Sequence, residues 1–223
     1  MLLTIANVLN ESVLEQVHAL IMTLRWKDGA ETAGATAREV KHNQQADLTS
    51  RTGAELRDLL VHAVSSNSVL KAAAQPSLFS KLLISKTERG GGYGLHVDNA
   101  YMPLGTRKMR TDLSFTLFLS DPGSYSGGEL EIEHAGQSLK LKPAAGDLVL
   151  YPSTSLHRVN EVLSGTRLAC VGWIESRVQR PDDRELLFDM ANLKAALSKH
   201  YQAQSPEMLM AAKIFSNLAR RFG

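Results

Sequence analysis

Between Ser77 and Val178 the chain breaks into eight short β-type runs, and this segmentation constrains its fold more than any other feature. The runs are Leu78–Ser85, Leu95–Asp98, Asp112–Ser120, Glu129–Glu133, Ser138–Leu141, Asp147–Tyr151, His157–Val162 and Arg167–Ile174, punctuated by Gly, Pro, Asn and Asp. Short strands at this density predict a barrel or jelly roll. Within Leu113-Ser114-Phe115-Thr116-Leu117-Phe118-Leu119 the period is two, which puts Leu113, Phe115, Leu117 and Leu119 on one face.

The flanks read differently. Asn10 is an N-cap candidate for a helix in which Val13, Leu14, Val17, Leu20, Ile21 and Leu24 recur at helical spacing. Residues 27–50 are polar, contain Gly29 and Gly34, and read as a long connection or a poorly periodic edge. Helices follow over Ala54–Val64 and Val69–Ala74, and Pro76 marks the change of regime. Beyond Pro181 helical patterning returns over Arg184–Leu197 and Met208–Phe222, where Ser205 can cap and Pro206 suits a first turn. The expected plan is a mainly β protein with helical flanks, of the α+β class: a helical or mixed flank over 1–76 packed on the core, a β-core over 77–178, and a C-terminal helical appendage over 179–223.

At 223 residues the chain can bury one substantial core. Its 25 basic and 23 acidic residues leave a formal charge of +2 with no run of like charge long enough to track phosphates, so no nucleic-acid partner is expected. Cys170 is the single cysteine and sits in an apolar run, which rules out an intramolecular disulfide. The first residues, MLLTIANVLNESVLEQ, lack the basic start and continuous apolar stretch of a secretory signal, and no run is long enough to span a membrane. A soluble, cytoplasmic protein without a membrane partner is the expectation. Nothing in the sequence specifies an oligomeric state.

The chemistry concentrates at Tyr93-Gly94-Leu95-His96-Val97-Asp98-Asn99. On a strand, His96 and Asp98 point to the same face and can reach one ion. His157, at the start of a later β-type run, is a third candidate ligand. Two histidines and one carboxylate leave open positions on an octahedral metal, which suits Fe(II) when a bidentate cosubstrate and O₂ must both bind. Arg167 opens the last apolar strand, and a charged residue pointing inward there needs a partner. Its planar guanidinium can clamp a carboxylate through two parallel hydrogen bonds, so a dicarboxylate could bridge the metal and Arg167.

These residues resemble the Fe(II)/2-oxoglutarate dioxygenases of the prolyl/lysyl hydroxylase-like group, specifically the bacterial PKHD-type hydroxylases. The resemblance is carried by Tyr93 to Ala100, Arg110-Thr111-Asp112-Leu113-Ser114, Thr116 to Pro122, Tyr125-Ser126-Gly127-Gly128-Glu129-Leu130, Gly146-Asp147, Val149 to Pro152, Ser155 to Val159, and Trp173-Ile174. It implies a double-stranded β-helix (jelly-roll) core, iron held by His96, Asp98 and His157, and the far carboxylate of 2-oxoglutarate held by Arg167. It also implies an activity: oxidative decarboxylation of 2-oxoglutarate to succinate and CO₂, coupled through O₂ to hydroxylation of an unidentified peptidyl or amino-acid-like substrate. Ascorbate is implied as the agent that keeps the iron reduced. Many relatives carry a tyrosine just before the glycine-rich loop, whereas Lys86-Thr87-Glu88-Arg89 stand here before Gly90-Gly91-Gly92, leaving no tyrosine at that position to touch the cosubstrate.

Around this set the readings stay open. Tyr93 lines the pocket or simply packs. Leu117, Leu130 and Val159 are cofactor-side cavity walls or ordinary core. Asn99 supports the carboxylate or makes a turn. Arg107, Lys108 and Arg110 form a solvated loop or attract an acidic substrate. Gly90-Gly91-Gly92 lacks a nucleotide-site context and reads as a flexible lip beside the metal. Two rivals remain at this level: a zinc-dependent hydrolase using the same three ligands, and a non-catalytic sensor of metal or oxo acid. Specificity is expected in the loops at 27–50, 99–110 and 121–127.

Overall fold

The computed structural model describes residues 1–32 and 39–223. Among these, an eight-stranded antiparallel sheet runs in the order β1 (Leu3–Ile5), β14 (Leu148–Pro152), β10 (Leu113–Phe118), β17 (Thr166–Ser176), β6 (Leu83–Glu88), β4 (Gln44–Ala46) and β2 (Trp26–Asp28), with β5 (Pro76–Phe79) paired to the far end of β17. A five-stranded sheet has the order β13 (Gln137–Leu141), β12 (Leu130–His134), β15 (His157–Val159), β7 (Gly92–His96) and β3 (Lys41–His42). Two ribbons complete the strands: β11 (Ser126–Gly127) with β16 (Val162–Ser164), and β8 (Tyr101–Leu104) with β9 (Arg107–Arg110). Chain neighbours such as β6 and β7, or β14 and β15, fall in different sheets, and this alternation makes the core a jelly roll.

The outer face of the larger sheet is closed by helices. Each starts where a short polar side chain or a proline satisfies the free N–H groups of a first turn. Asn10 accepts from Val13 N–H at 3.0 Å to open α1 (Glu11–Ile21), Ser50 from Gly53 N–H at 3.0 Å to open α2 (Arg51–Ser66), and Asn67 from Leu70 N–H at 2.9 Å to open α3 (Ser68–Ala74). Pro181 and two aspartates begin α4 (Pro181–Leu197), and Ser205 with Pro206 begins α5 (Pro206–Phe222). Leu56, Leu60 and Leu70 of the helices are fully buried against Leu113, Phe115, Leu117, Leu148, Cys170 and Ile174 of the sheet. Each such side chain contributes about 1.5–3 kcal/mol on leaving water. No helix among the described residues is long and apolar enough to cross a membrane.

The N-terminal residues are woven into the sheets as well as packed on them. β1 pairs with β14, β4 with β6, and β3 with β7, so β2 to β4 give the polar stretch after residue 26 the character of a sheet edge. Gly34 and the middle of that stretch lie outside the described residues. The run Leu78–Ser85 divides into β5 and β6, because Ser80 N–H turns to bond the Trp173 carbonyl at 2.9 Å. The glycine run is no lip. Gly91 N–H closes a turn onto the Glu88 carbonyl at 2.9 Å, and Gly90 and Gly91 exchange backbone hydrogen bonds with Val162 at 2.8 and 2.9 Å, which pins the β6–β7 connection.

Candidate active site

Between the two sheets lies a cavity of about 580 Å³. His96 ends β7 and His157 begins β15, and the two strands are antiparallel with His96 directly opposite His157. Asp98 follows His96 by two positions, so all three side chains meet. Their candidate ligand atoms lie within 4.8 Å of one another, and His157 Nε2 is 3.8 Å from Asp98 Oδ2.

The surroundings fix how each group presents itself. His96 Nδ1 is 2.7 Å from the Gly94 carbonyl and His157 Nδ1 is 3.1 Å from the Ser155 carbonyl. A carbonyl oxygen only accepts, so each ring carries its proton on Nδ1 and turns the Nε2 lone pair toward the shared space. Burial, then the neighbouring His157, hold His96 down at about 4, which keeps the imidazole neutral, the form able to bind a metal. Ser114 Oγ donates to Asp98 Oδ2 at 2.5 Å and is itself 2.7 Å from Ser153 Oγ, so a serine pair orients the carboxylate. Tyr93 stacks on the His96 ring at 3.7 Å and 23°, and Tyr151 meets His157 edge-on at 5.0 Å. Burial raises both phenols, Tyr93 to about 12, so they stay neutral walls.

Arg167 occupies the same cavity as a fully enclosed cation, 2% exposed, with its guanidinium carbon 5.2 Å from the Phe118 ring centroid. Burial pulls its pKa down, partly opposed by Tyr125 and Tyr151. Its Nε and Nη2 are buried without a hydrogen-bond acceptor, and so is the hydroxyl of Tyr125, which interacts with the guanidinium electrostatically without forming a hydrogen bond of normal geometry. Lys142 clamps Tyr125, its ammonium 3.9 Å from the ring centroid and 2.7 Å from the backbone carbonyl. Space beside them is kept by Gly128, at φ +66°. A Cβ there would stand 3.0 Å from the Tyr125 ring and 3.1 Å from Arg167 Cδ. A buried guanidinium with two donors that lack a well-formed acceptor, beside a phenol it meets only electrostatically, suits a carboxylate.

Tyr93, Leu130, Val159 and Asn99 line the cavity. Leu117 does not, which corrects the expectation of a cavity wall. It packs with Leu113 in the core beneath the helices, and Ser114 and Thr116 of β10 line the cavity. The basic cluster divides: Arg110 is bound to Asp112 at 2.7 and 2.9 Å, while Arg107 and Lys108 stay exposed on β9. Sequence reasoning gave no role to Tyr125, Ser114 or Ser153. The only signal for them was the motif that contains the first two, since their contacts join segments far apart in the chain.

Comparison with known proteins agrees with this arrangement. Residues 82–175 match the model of the 2OG-Fe(II) oxygenase superfamily. A PKHD-type hydroxylase of Hyphomonas neptunium is 52% identical over 219 residues, 98% of each chain, and one of Prochlorococcus marinus is 45% identical over 199 residues, 89% of this chain and 87% of the relative. Among solved structures, a prolyl hydroxylase of Trichoplax adhaerens in complex with a hypoxia inducible factor peptide fragment shares the fold at TM-score 0.58 and 18% identity, covering 80% of this chain and 85% of its own. The viral collagen prolyl hydroxylase of Paramecium Bursaria Chlorella virus-1, solved with 2OG, does so at 0.53 and 17%, covering 78% and 95%. None of these findings supports a zinc-dependent hydrolase. With half its residues identical to a relative along nearly its whole length, the chain belongs to the PKHD-type hydroxylases, dioxygenases of the 2OG-Fe(II) oxygenase superfamily that use Fe(II), 2-oxoglutarate and O₂.

Proposed function

We propose that His96, Asp98 and His157 hold the iron, that Arg167 and Tyr125 hold the far carboxylate of 2-oxoglutarate, and that the loaded site hydroxylates a peptidyl or amino-acid-like substrate. The observation that carries this reading is a three-ligand cluster in the same cavity as an enclosed guanidinium, two of whose nitrogens, Nε and Nη2, lack a well-formed acceptor. Iron with its oxo-acid cosubstrate supplies the oxidising power: O₂ is consumed, 2-oxoglutarate becomes succinate and CO₂, and one oxygen atom enters a substrate C–H bond.

The chain's own residues do the rest. Gly94 and Ser155 carbonyls fix the two imidazoles, and Ser114 fixes the carboxylate. Arg167 neutralises and aligns the cosubstrate's distal end, with the Tyr125 hydroxyl donating beside it. Phe118, Leu130 and Tyr151 keep the inner wall free of bulk water. The peptide fragment bound by the Trichoplax protein supports a peptidyl substrate as the first class to examine.

The test is anaerobic. Fe(II) and then 2-oxoglutarate are added to metal-free protein, and the weak visible charge-transfer band of a chelated 2-oxo acid is sought. The band should form in wild-type protein and be lost in His157→Ala. Tight metal binding without a band would overturn the reading.

A further inference from the structure

Arg167 and Trp173 share the cavity face of β17, because side chains an even number of positions apart point the same way. Their separation along the strand is roughly 20 Å at about 3.3 Å per residue. The carboxylate hole occupies the Arg167 end. At the other end Trp173 pairs across the sheet with Ser114, the serine that holds Asp98, so the indole stands near the carboxylate ligand and away from the oxo-acid end. The Trp173 backbone is fixed on both sides by Ser80, which accepts the Trp173 N–H at 2.9 Å and donates its own N–H to the Trp173 carbonyl at 2.9 Å. The indole Nε1–H is buried and has no acceptor.

A buried donor without an acceptor is rare in native structures and calls for something that completes it. The surroundings narrow what that is. Leu95, Val97 and Leu156, at 49%, 52% and 41% exposed, give the mouth an apolar rim. Among the described lining residues Asp98 is the sole carboxylate, and it belongs to the metal cluster, while Arg167 and Lys41 are cations. A protonated amine would find no counter-charge of its own there.

We propose that Trp173 Nε1–H orients the prime substrate by donating to an uncharged acceptor oxygen, a peptide or amide carbonyl, whose apolar neighbour rests on the mouth. The proposal builds on the dioxygenase reading and narrows its substrate: a free lysine ammonium is not the group presented to the iron.

Trp26 and Trp173 are the only tryptophans, so protein labelled with ¹⁵N at the indoles gives two Nε1–H resonances, assigned through Trp173→Phe. Loaded with Zn(II) as a redox-inert stand-in and with 2-oxoglutarate, the protein is titrated with N,N-dimethylacetamide and, separately, with butylammonium. The expected result is a saturable downfield shift of the Trp173 resonance with the amide only, the Trp26 resonance staying in place. Trp173→Phe should weaken amide binding, followed by saturation transfer to the ligand, about five- to tenfold, the worth of one neutral hydrogen bond. An indole that ignores the amide, or that answers butylammonium equally, overturns the proposal. The anaerobic band of wild-type protein separates the two readings: a normal band with an unresponsive indole rejects only the substrate assignment, and a missing band rejects the dioxygenase beneath it.

Discussion

The helix side of β10 and β17 is filled by Leu113, Leu117, Cys170 and Ile174, whereas the cavity side of the same two strands carries Ser114, Thr116, Arg167 and Trp173. Both sides are buried, yet every buried side-chain atom without a hydrogen-bond partner among the described residues lies on or beside the second. These atoms belong to Asn43, Arg167 and Trp173 in the cavity wall and to Tyr125 at the guanidinium. One side of the sheet therefore holds the chain folded, and the other carries polar groups that the fold itself leaves without partners.

The sharpest way to break this contrast is Leu117→Ala. A cavity in the helix-side core should lower unfolding free energy by about 2–5 kcal/mol in a denaturant titration, with 2-oxoglutarate affinity within about twofold of wild type. A comparable loss of affinity would mean the two sides are not separable. Arg167→Leu is the reciprocal case. Loss of two charge-assisted hydrogen bonds should raise the Kd for 2-oxoglutarate about a hundredfold by calorimetry, while the melting temperature of the ligand-free protein holds or rises, since an unpaired buried charge is removed. A marked fall in melting temperature would make Arg167 a structural residue.

Ser114→Ala should cost about tenfold in metal affinity, read by chelator competition, because the carboxylate loses the hydroxyl that orients it. The smallest effect is on the outer side of the second sheet, where Arg158, then Ser138 and Asn160, hold the Glu131 carboxyl at about 2. Its folded pKa lies below the unfolded value of 4.5, so its contribution is complete above about pH 4.5 and is lost as pH falls toward about 2. Glu131→Gln should flatten the pH dependence of stability in that window and leave metal binding alone.

Local spacing made part of this legible in the sequence. His96 and Asp98 are two apart at the end of a strand, Arg167 opens an apolar run, and Asn10 and Ser205 sit where caps belong; each pattern needs only its own neighbours. Leu117 shows where local reading stops. A period of two says that Leu113, Phe115, Leu117 and Leu119 share a face, but both faces of β10 are buried, so alternation could not tell which one meets the cavity. Tyr125 and Ser114 stayed invisible because their partners, Arg167 and Asp98, arrive from distant segments once the sheets close. The phenol absent before the glycine run has a counterpart beside Arg167 in Tyr125, which comes from a different segment.

β17 is the longest strand described, and it spaces its functional side chains like marks on a rule. One residue inserted or deleted between Arg167 and Trp173 would turn every later side chain to the opposite face, moving the indole into the helix core or the core residues into the site. The two marks can therefore be exchanged for other residues but not respaced.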